Sequence, residues 1–180
     1  KTNREEFVKD LSIILFMQGI VLFGGLKVLY DERPIFLVFS IDRFVVITAN
    51  SINQNKVSPV VFENNSSFAA SPIVVAAYLS SSRSFAEVMT SLQDMADIEF
   101  QPELYEPIEF QIDKIKNKGL MISGLSENAS IAYNKLDIQT LEHDNVRAFP
   151  LINPKDEDKL LIFDIVNMRP AGVVDVSPWE

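Results

Sequence analysis

A run of twenty almost wholly apolar residues near the start of the chain, Leu11 to Tyr30, constrains the fold more than any other feature. Only Gln18 and Lys27 bring strongly polar groups into it. As an α-helix the run would be about 30 Å long, which matches the hydrocarbon thickness of a bilayer. Lys27 and Tyr30 stand near its end, where an ammonium and a phenol can reach the headgroups. The run predicts one membrane-spanning helix, and a buried helix of a soluble core is the alternative.

Basic residues on either side of the run set the predicted orientation, because Lys and Arg close to a span are retained on the cytoplasmic side. Lys1, Arg4 and Lys9 precede the run, and Arg33 closely follows it. We therefore expect the larger part of the chain, from about Asp31 onward, to face away from the cytoplasm. A small-x-small cleavage pattern does not follow the run, so we expect the helix to be retained.

The residues after the run number about 150, which is one ordinary domain. Hydrophobic residues make up 47% of the chain and charged residues 23%, which favours a folded core. A formal net charge of -9 makes nucleic acid a poor partner. The absence of cysteine excludes disulfides, thiolate metal sites and thiol catalysis. We predict a cytoplasmic flank and transmembrane helix over 1–30 and a periplasmic domain over 31–180.

Short runs rich in Ile, Val, Leu and Phe predict the strands of that domain. They are Ile35–Ser40, Phe44–Ala49, Ile73–Leu79, Leu160–Val166 and Gly172–Val176. The first two runs are separated by Ile41-Asp42-Arg43, and the last two by Asn167–Ala171, so each pair predicts a hairpin. A hairpin pairs its strands antiparallel, and we therefore expect an antiparallel sheet.

Three segments predict helices, and one predicts an extended connector. Ser84 with Glu87 forms a capping box, and that helix should end near Ala96. Two more helices are predicted over Ile108–Lys118, with Gly119 as the stop, and over Ser126–Leu136. Pro102 and Pro107 each lack a backbone donor, so the segment between them cannot be a central strand and is predicted to follow the surface. The fold class is therefore α+β, with one membrane helix followed by one mixed domain that has two or three helices.

Residues that carry chemistry are scarce. His143 is the one histidine and stands in a polar segment, where a solvated side chain is the expected state. Nucleophile-elbow, phosphate-loop, dinucleotide and zinc-protease motifs are absent from the sequence. Asp156–Asp158 are adjacent carboxylates without the alternating spacing of a calcium loop. We expect no catalytic residue, no cofactor and no metal site.

Four segments resemble a known family. They are Arg33–Phe44 (RPIFLVFSIDRF), Pro102–Pro107 (PELYEP), Lys159–Asp164 (KLLIFD) and Gly172–Trp179 (GVVDVSPW). Together they resemble the TfpX/TfpZ group of type IV pilin accessory proteins. In that group N-terminal membrane helices lead into an R-P-x-x-x-V-F-x-x-D-R-F segment, and a terminal strand pair closes on D-x-x-P-W.

The resemblance implies a protein of the bacterial inner membrane whose periplasmic domain assists a major type IV pilin, without enzymatic activity. Glycines in the run leave room where a pilin helix could approach closely, and Gln18 could hydrogen-bond across such a contact. The alternative is that glycines are simply common in membrane spans and that they face helices of the same protein. Asp42 and Arg43 form either a structural ion-pair corner or a contact, and Trp179 forms either an exposed anchor or part of the core. The predicted partner contacts are Gln18, Gly19, Gly24, Gly25, Asp42, Arg43, Tyr105 and Trp179.

A second class of function stays open. The domain could be a membrane-tethered periplasmic module that binds a ligand or carries out catalysis with scattered residues. Its mark would be a concave site of several hundred cubic ångströms with convergent polar groups, expected near Tyr105.

Overall fold

The structure, a computed structural model, describes residues 4–63, 72–78, 97–136, 143–154 and 157–178. The chain divides into two units, Lys1–Arg33 and Pro34–Glu180. The first unit contains one long helix, and the second contains a sheet with helices.

The long helix, α1, spans Arg4–Asp31. Its segment Phe7–Asp31 has a mean hydropathy of 2.0 and is long and apolar enough to cross a membrane. The five consecutive apolar residues from Ile13 to Met17 are all more than half exposed. Successive residues of a helix turn by about 100°, so apolar side chains surround this helix on every side. The predicted helix over Leu11–Tyr30 is confirmed.

The second unit is built on one 8-stranded sheet among the described residues, in the order β4-β3-β1-β2-β6-β7-β8, with β5 paired to β6. The strands are β1 Pro34–Ser40, β2 Arg43–Thr48, β3 Ile73–Ala77, β4 Tyr105–Pro107, β5 Leu120–Met121, β6 Val146–Ile152, β7 Lys159–Asp164 and β8 Arg169–Val174. The β1/β3 and β2/β6 pairs are parallel, and the other pairs are antiparallel. The predicted α+β class is confirmed, and the sheet is mixed rather than antiparallel throughout.

Both faces of the sheet carry apolar side chains. In β1, Phe36 and Val38 belong to one core cluster, while Leu37 and Phe39 belong to another. Neighbouring residues of a strand point to opposite faces, so β1 is buried on both sides and is an almost continuous apolar run. This pattern explains why the strand could be predicted from its composition.

One face of the sheet is centred on four phenylalanines with ring centroids 4.9–6.4 Å apart, Phe39, Phe44, Phe149 and Phe163. Ile108 and Ile115 belong to the same cluster. The opposite face has two clusters. One joins β1–β3 to Val57, Val61 and Tyr105, and the other joins β6–β8 to Ala129 and Tyr133.

Three helices of this unit are described: α2 Val60–Glu63, α3 Ile112–Lys118 and α4 Glu127–Asn134. A 3-10 turn over Ile108–Gln111 leads into α3, and Gly119 caps its end. The Ser126 hydroxyl accepts a 3.4 Å bond from the Ala129 amide at the start of α4. The helices predicted over Ile108–Lys118 and Ser126–Leu136 are confirmed in position. The helix predicted from Ser84 lies outside the described residues.

The segment before α3 differs from the prediction. Tyr105–Pro107 pair antiparallel with β3 as the edge strand β4 instead of following the surface. A proline is tolerated there because an edge strand needs hydrogen bonds on one side only. Pro102, Leu104, Tyr105 and Pro107 are buried.

Strand β6 lies inside the sheet although it contains Pro150. On one edge β6 pairs with β7 along most of its length. The other edge pairs with β5 at Arg147 and Ala148 and with β2 at Leu151 and Ile152. Pro150 falls between these two ladders, a position where a missing N–H is tolerated. The last hairpin lies earlier in the sequence than predicted. Its second strand, β8, begins at Arg169 instead of Gly172, and its turn is 165–168.

Candidate functional site

The polar and small residues of α1 point in different directions. Gln18 and Gly25 are seven residues apart and therefore share a face, whereas Gly24 lies about 100° from Gly25. Gly19 lies on a third side. Apart from the adjacent residues and the nearby backbone of α1 itself, no atom of the described chain comes within 4 Å of a side-chain position at Gly19, Gly24 or Gly25. Of the predicted helix contacts, the structure brings only Gln18 and Gly25 together on one face.

The end of α1 carries polar groups suited to a membrane interface. The Lys27 ammonium lies 2.7 Å from the Asp31 carboxylate. The Arg33 guanidinium lies 3.7 Å from the centre of the Tyr30 ring and donates a 2.6 Å hydrogen bond to the Tyr30 carbonyl. Aromatic and basic side chains of this kind sit at headgroup level.

The corner between β1 and β2 is exposed. Arg43 Nε lies 3.3 Å from Asp42 Oδ1, and both side chains are in contact with solvent. An exposed pair of this kind stabilises a fold by about 0–1 kcal/mol. Ile41 beside it has a φ of 59° and is 63% exposed. The corner is accessible to a partner, and its ion pair contributes little to stability.

Tyr105 is not part of the surface. It is 3% exposed, and its ring packs edge-on against Phe36 at 5.3 Å. Its hydroxyl donates a 2.5 Å hydrogen bond to the Glu99 carbonyl. The Tyr105 side chain, predicted as a partner contact, is therefore enclosed in the core of this structure.

Trp179 lies outside the described residues, as does Asp156. The backbone of His143 begins a 3-10 turn, His143–Asn145. Within the described ranges, no group of three or more His, Cys, Asp and Glu side chains is placed to hold a metal ion.

A concave site of about 430 Å³ lies between α4, the segment after β5 and the start of β6, and we call it the Arg147 cleft. It is lined by Met121, Ile122, Ser123, Ser130, Tyr133, Asn134, Asp144 and Arg147. These residues come from separate elements, and none belongs to the segment around Tyr105. Its volume falls within the range of small-molecule pockets, and its lining mixes apolar side chains with the polar Ser123, Ser130 and Asp144.

Arg147 is the one residue of the cleft with an unmet hydrogen-bonding need in the described part of the chain. Its Nη1 donates 2.9 Å hydrogen bonds to the carbonyls of Asp144 and Val146. Its Nε is buried and has no partner among the described residues. A buried donor without an acceptor costs about 1–3 kcal/mol. The sequence analysis did not identify Arg147. The available signal was that Arg147 is the only charged residue of the apolar strand β6.

A second concavity, of about 340 Å³, is lined by Glu157, Asp158, Asp175, Val176 and Ser177. Lys159 Nζ lies 3.5 Å from Asp175 Oδ1 at its edge. Its carboxylates are surface groups partly balanced by this lysine, and the site has no feature that selects a ligand.

Comparison with protein-family models, with curated proteins and with solved structures finds no match to this chain.

Proposed function

We propose that this chain is a non-enzymatic accessory protein of the bacterial inner membrane that assists a major type IV pilin before or during pilus assembly. The observation that carries the proposal is a helix apolar on all sides, α1, followed within three residues by the first strand of an α+β domain. A pilin waiting in the membrane has the same layout, an apolar helix with a folded head. An accessory protein with this layout can meet a pilin subunit both in the lipid and outside it.

Lipid is the proposed environment of α1. The apolar side chains from Ile13 to Met17 are more than half exposed, and exposing apolar surface to water costs about 25 cal/mol per Å². A helix that is apolar all round is stable only when something covers all of its sides. The polar pairs Lys27–Asp31 and Tyr30–Arg33 then mark where α1 leaves the hydrocarbon.

The basic flanks of the span support a periplasmic location of the second unit. Lys1, Arg4 and Lys9 precede the span, and Arg33 follows it, so the positive-inside rule directs the N-terminal flank to the cytoplasm. Lipid of the inner membrane and the pilin are then the partners of the chain. The net charge of -9 disfavours binding to nucleic acid, whose phosphate backbone is also negative.

The segments that resemble the TfpX/TfpZ group occupy defined places in the fold. Arg33–Phe44 contains β1 and the exposed Asp42–Arg43 corner, Pro102–Pro107 contains the edge strand β4, and Lys159–Asp164 forms β7. Proteins that share a fold are expected to have similar residues in the strands that build their sheet. Their order and spacing support the family assignment that the function rests on.

The proposed contact within the membrane is the face of α1 that holds Gln18 and Gly25. A glycine leaves room for the backbone of another helix, and a glutamine amide on the same face can donate a hydrogen bond across the contact. Gly24 lies about 100° away on a lipid-facing side, which makes it a matched control for Gly25.

Recovery of the major pilin with the detergent-solubilised full chain tests the proposal. The Gly25→Leu variant should recover at least about fivefold less pilin, since a leucine at a close helix contact costs about 1–3 kcal/mol. Gly24→Leu should recover as much as the unchanged chain, and the double variant should behave like Gly25→Leu. Failure of the unchanged chain to recover pilin, or equal recovery by the Gly25→Leu variant, contradicts the proposal.

A further inference from the structure

We propose that Ile41, at the tip of the β1–β2 hairpin, is an anchor that inserts into an apolar pocket on the folded head of the pilin. This inference rests on the proposed function and adds a contact outside the lipid to the contact proposed on α1. Ile41 was not among the partner contacts predicted from the sequence, which included the neighbouring Asp42 and Arg43.

The first step is the backbone of the corner. Ile41 has a φ of 59°, and the Asp42 amide donates a 2.7 Å hydrogen bond to the Ser40 carbonyl across it. A three-residue turn closed by such a bond around a residue of positive φ is rare and strained. Isoleucine is poorly suited to it, because glycine and asparagine adopt a positive φ at much lower cost. Strain of this kind is concentrated at functional sites.

The second step is a comparison with Met168, the other non-glycine residue with a positive φ in the described ranges. Its φ is 51°, but its side chain is partly buried and packs against the core cluster of Phe163 and Ile165. Packing within the fold therefore offsets the strain at Met168. Ile41 is 63% exposed and belongs to none of the core clusters of the described chain. A contact with another molecule would supply for Ile41 what the core supplies for Met168.

The third step is that the corner is held in place before a partner arrives. Ser40 pairs with Arg43 at the end of the β1/β2 ladder. Ser40 is also buried, and its hydroxyl donates a 3.2 Å hydrogen bond to the Glu99 carboxylate. A side chain presented from a corner fixed in this way loses little freedom on binding.

The fourth step is the kind of partner that fits. The corner is a convex hairpin tip, whereas small molecules bind in concave sites. Arg43 Nε lies 3.3 Å from Asp42 Oδ1, so the apolar tip is flanked by two charges that balance each other. Insertion into lipid requires a wider apolar face. An apolar anchor with a polar rim is instead typical of a contact between folded proteins.

The fifth step is chain connectivity, which keeps the pilin head within reach of the corner. Ile41 follows the last residue of α1, Asp31, by ten residues, which span at most about 36 Å. A pilin whose helix lies against α1 has its head at the same membrane surface. The head is therefore the folded surface that stays close to Ile41 while the two helices are in contact.

Titration of the purified major pilin into the full chain, both in detergent micelles, measures the contribution of Ile41 to the affinity. Ile41→Asn should weaken binding at least about tenfold, because the apolar side chain is lost from its pocket. Ile41→Gly, which also tolerates the positive φ, should show a similar loss. Ile41→Val keeps a branched apolar side chain and should lose no more than about fourfold.

Val166→Asn is the matched control, because Val166 is 64% exposed in the turn of the other hairpin and has no positive φ. It should leave the affinity unchanged. Relief of strain should make Ile41→Asn at least as stable as the unchanged chain. Weaker pilin binding by a variant of undiminished melting temperature then reflects the lost contact and not misfolding.

The Gly25→Leu variant separates this inference from the proposed function. If Gly25→Leu weakens pilin binding and Ile41→Asn does not, the Ile41 anchor is overturned and the proposed function stands. If the unchanged chain does not bind pilin, both are overturned. An equal loss of affinity in Val166→Asn and Ile41→Asn would also overturn the anchor.

Discussion

The phenol of Tyr105 donates a 2.5 Å hydrogen bond to the main-chain carbonyl of Glu99 and thereby ties strand β4 to the turn before it. The ring is buried against Phe36. Burial, with a smaller effect of the charges of Glu99 and Glu103, raises the pKa of Tyr105 above its ordinary value. The phenol therefore stays neutral and keeps donating in the folded protein at alkaline pH.

Replacing Tyr105 with Phe removes this bond and should lower the free energy of unfolding by about 1 kcal/mol at pH 7. Because the pKa of the tyrosine is raised by folding, its contribution is complete below the unfolded pKa of about 10 and declines as the pH rises above it. Denaturant unfolding in micelles at pH 7 to 11 measures the difference between the two proteins. A difference that does not shrink above pH 10 contradicts this assignment.

Asp164 secures the turn between β7 and β8. Its carboxylate accepts bonds from the Val166 and Asn167 amides at 2.9 and 3.0 Å and from the Asn167 side chain at 2.7 Å. Burial acts to raise the pKa of Asp164, but these bonds and the charge of Arg169 together outweigh it and lower the pKa.

Asp164→Asn should therefore destabilise the domain by about 2 kcal/mol at pH 7, since the lost bonds involve a charged acceptor. A lowered pKa means that the contribution is complete above the unfolded pKa of about 3.9 and is lost as the pH falls through the folded value. The difference in free energy of unfolding should narrow below pH 4. An equal difference at pH 7 and pH 3 contradicts this account.

Gly119 allows β5 to approach β6. A side chain there would lie 2.5 Å from Arg147 Cβ and 2.6 Å from Phe149 Cζ. Gly119→Ala should lower the free energy of unfolding by about 1–3 kcal/mol through overpacking. Gly124→Ala is the control, because, apart from Gly124 itself and its two neighbours in the chain, no atom of the described chain lies within 4 Å of the added carbon. Thermal unfolding measures both variants. An equal change in melting temperature for Gly119→Ala and Gly124→Ala would contradict the prediction, because β5 and β6 would then have room for the added carbon at Gly119.

Ile41 is strained in the β1–β2 corner, since its φ of 59° is unfavourable for a β-branched side chain. Ile41→Asn should raise the free energy of unfolding by about 1 kcal/mol, because asparagine tolerates this conformation. Val166→Asn is the control in the other hairpin, where Val166 is 64% exposed against 63% for Ile41 and has no positive φ. A melting temperature lowered by Ile41→Asn would contradict the claim that the backbone of Ile41 is strained.

The parts of the fold that could be predicted from sequence are those with a strong local pattern. The apolar length of Leu11–Tyr30 gives α1, and the double burial of β1 makes it a continuous apolar run. Ser126 and Gly119 mark helix ends because a hydroxyl caps the start of α4 and a glycine follows the end of α3.

The parts that were missed depend on distant contacts. Strand β6 is not among the predicted strands. A proline disfavours a central strand, and only the gap between the ladders of β5 and β2 makes Pro150 acceptable in β6. The parallel pairing of β1 with β3 has no local signal, because it depends on the path of the chain between them.

The candidate sites also divide into those set by local sequence and those that depend on distant contacts. Gln18, Gly25, Asp42 and Arg43 lie where their own local elements put them, on a helix face and in a hairpin corner. The Arg147 cleft combines residues from 121 to 147 that meet only in the folded sheet. The burial of Tyr105 has no local sequence signal, because it depends on Phe36, far away in the sequence.

Photo-crosslinking in native membranes tests the central claim most directly. A benzophenone amino acid replaces Val21, which lies between Gln18 and Gly25 on their shared face, or Phe23, which lies about 200° away on the helix. The two positions are matched in exposure, 75% and 73%. The account predicts an adduct with the major type IV pilin from position 21 and none from position 23, identified by mass spectrometry. Absence of a pilin adduct at position 21, or equal adducts at both positions, would contradict it.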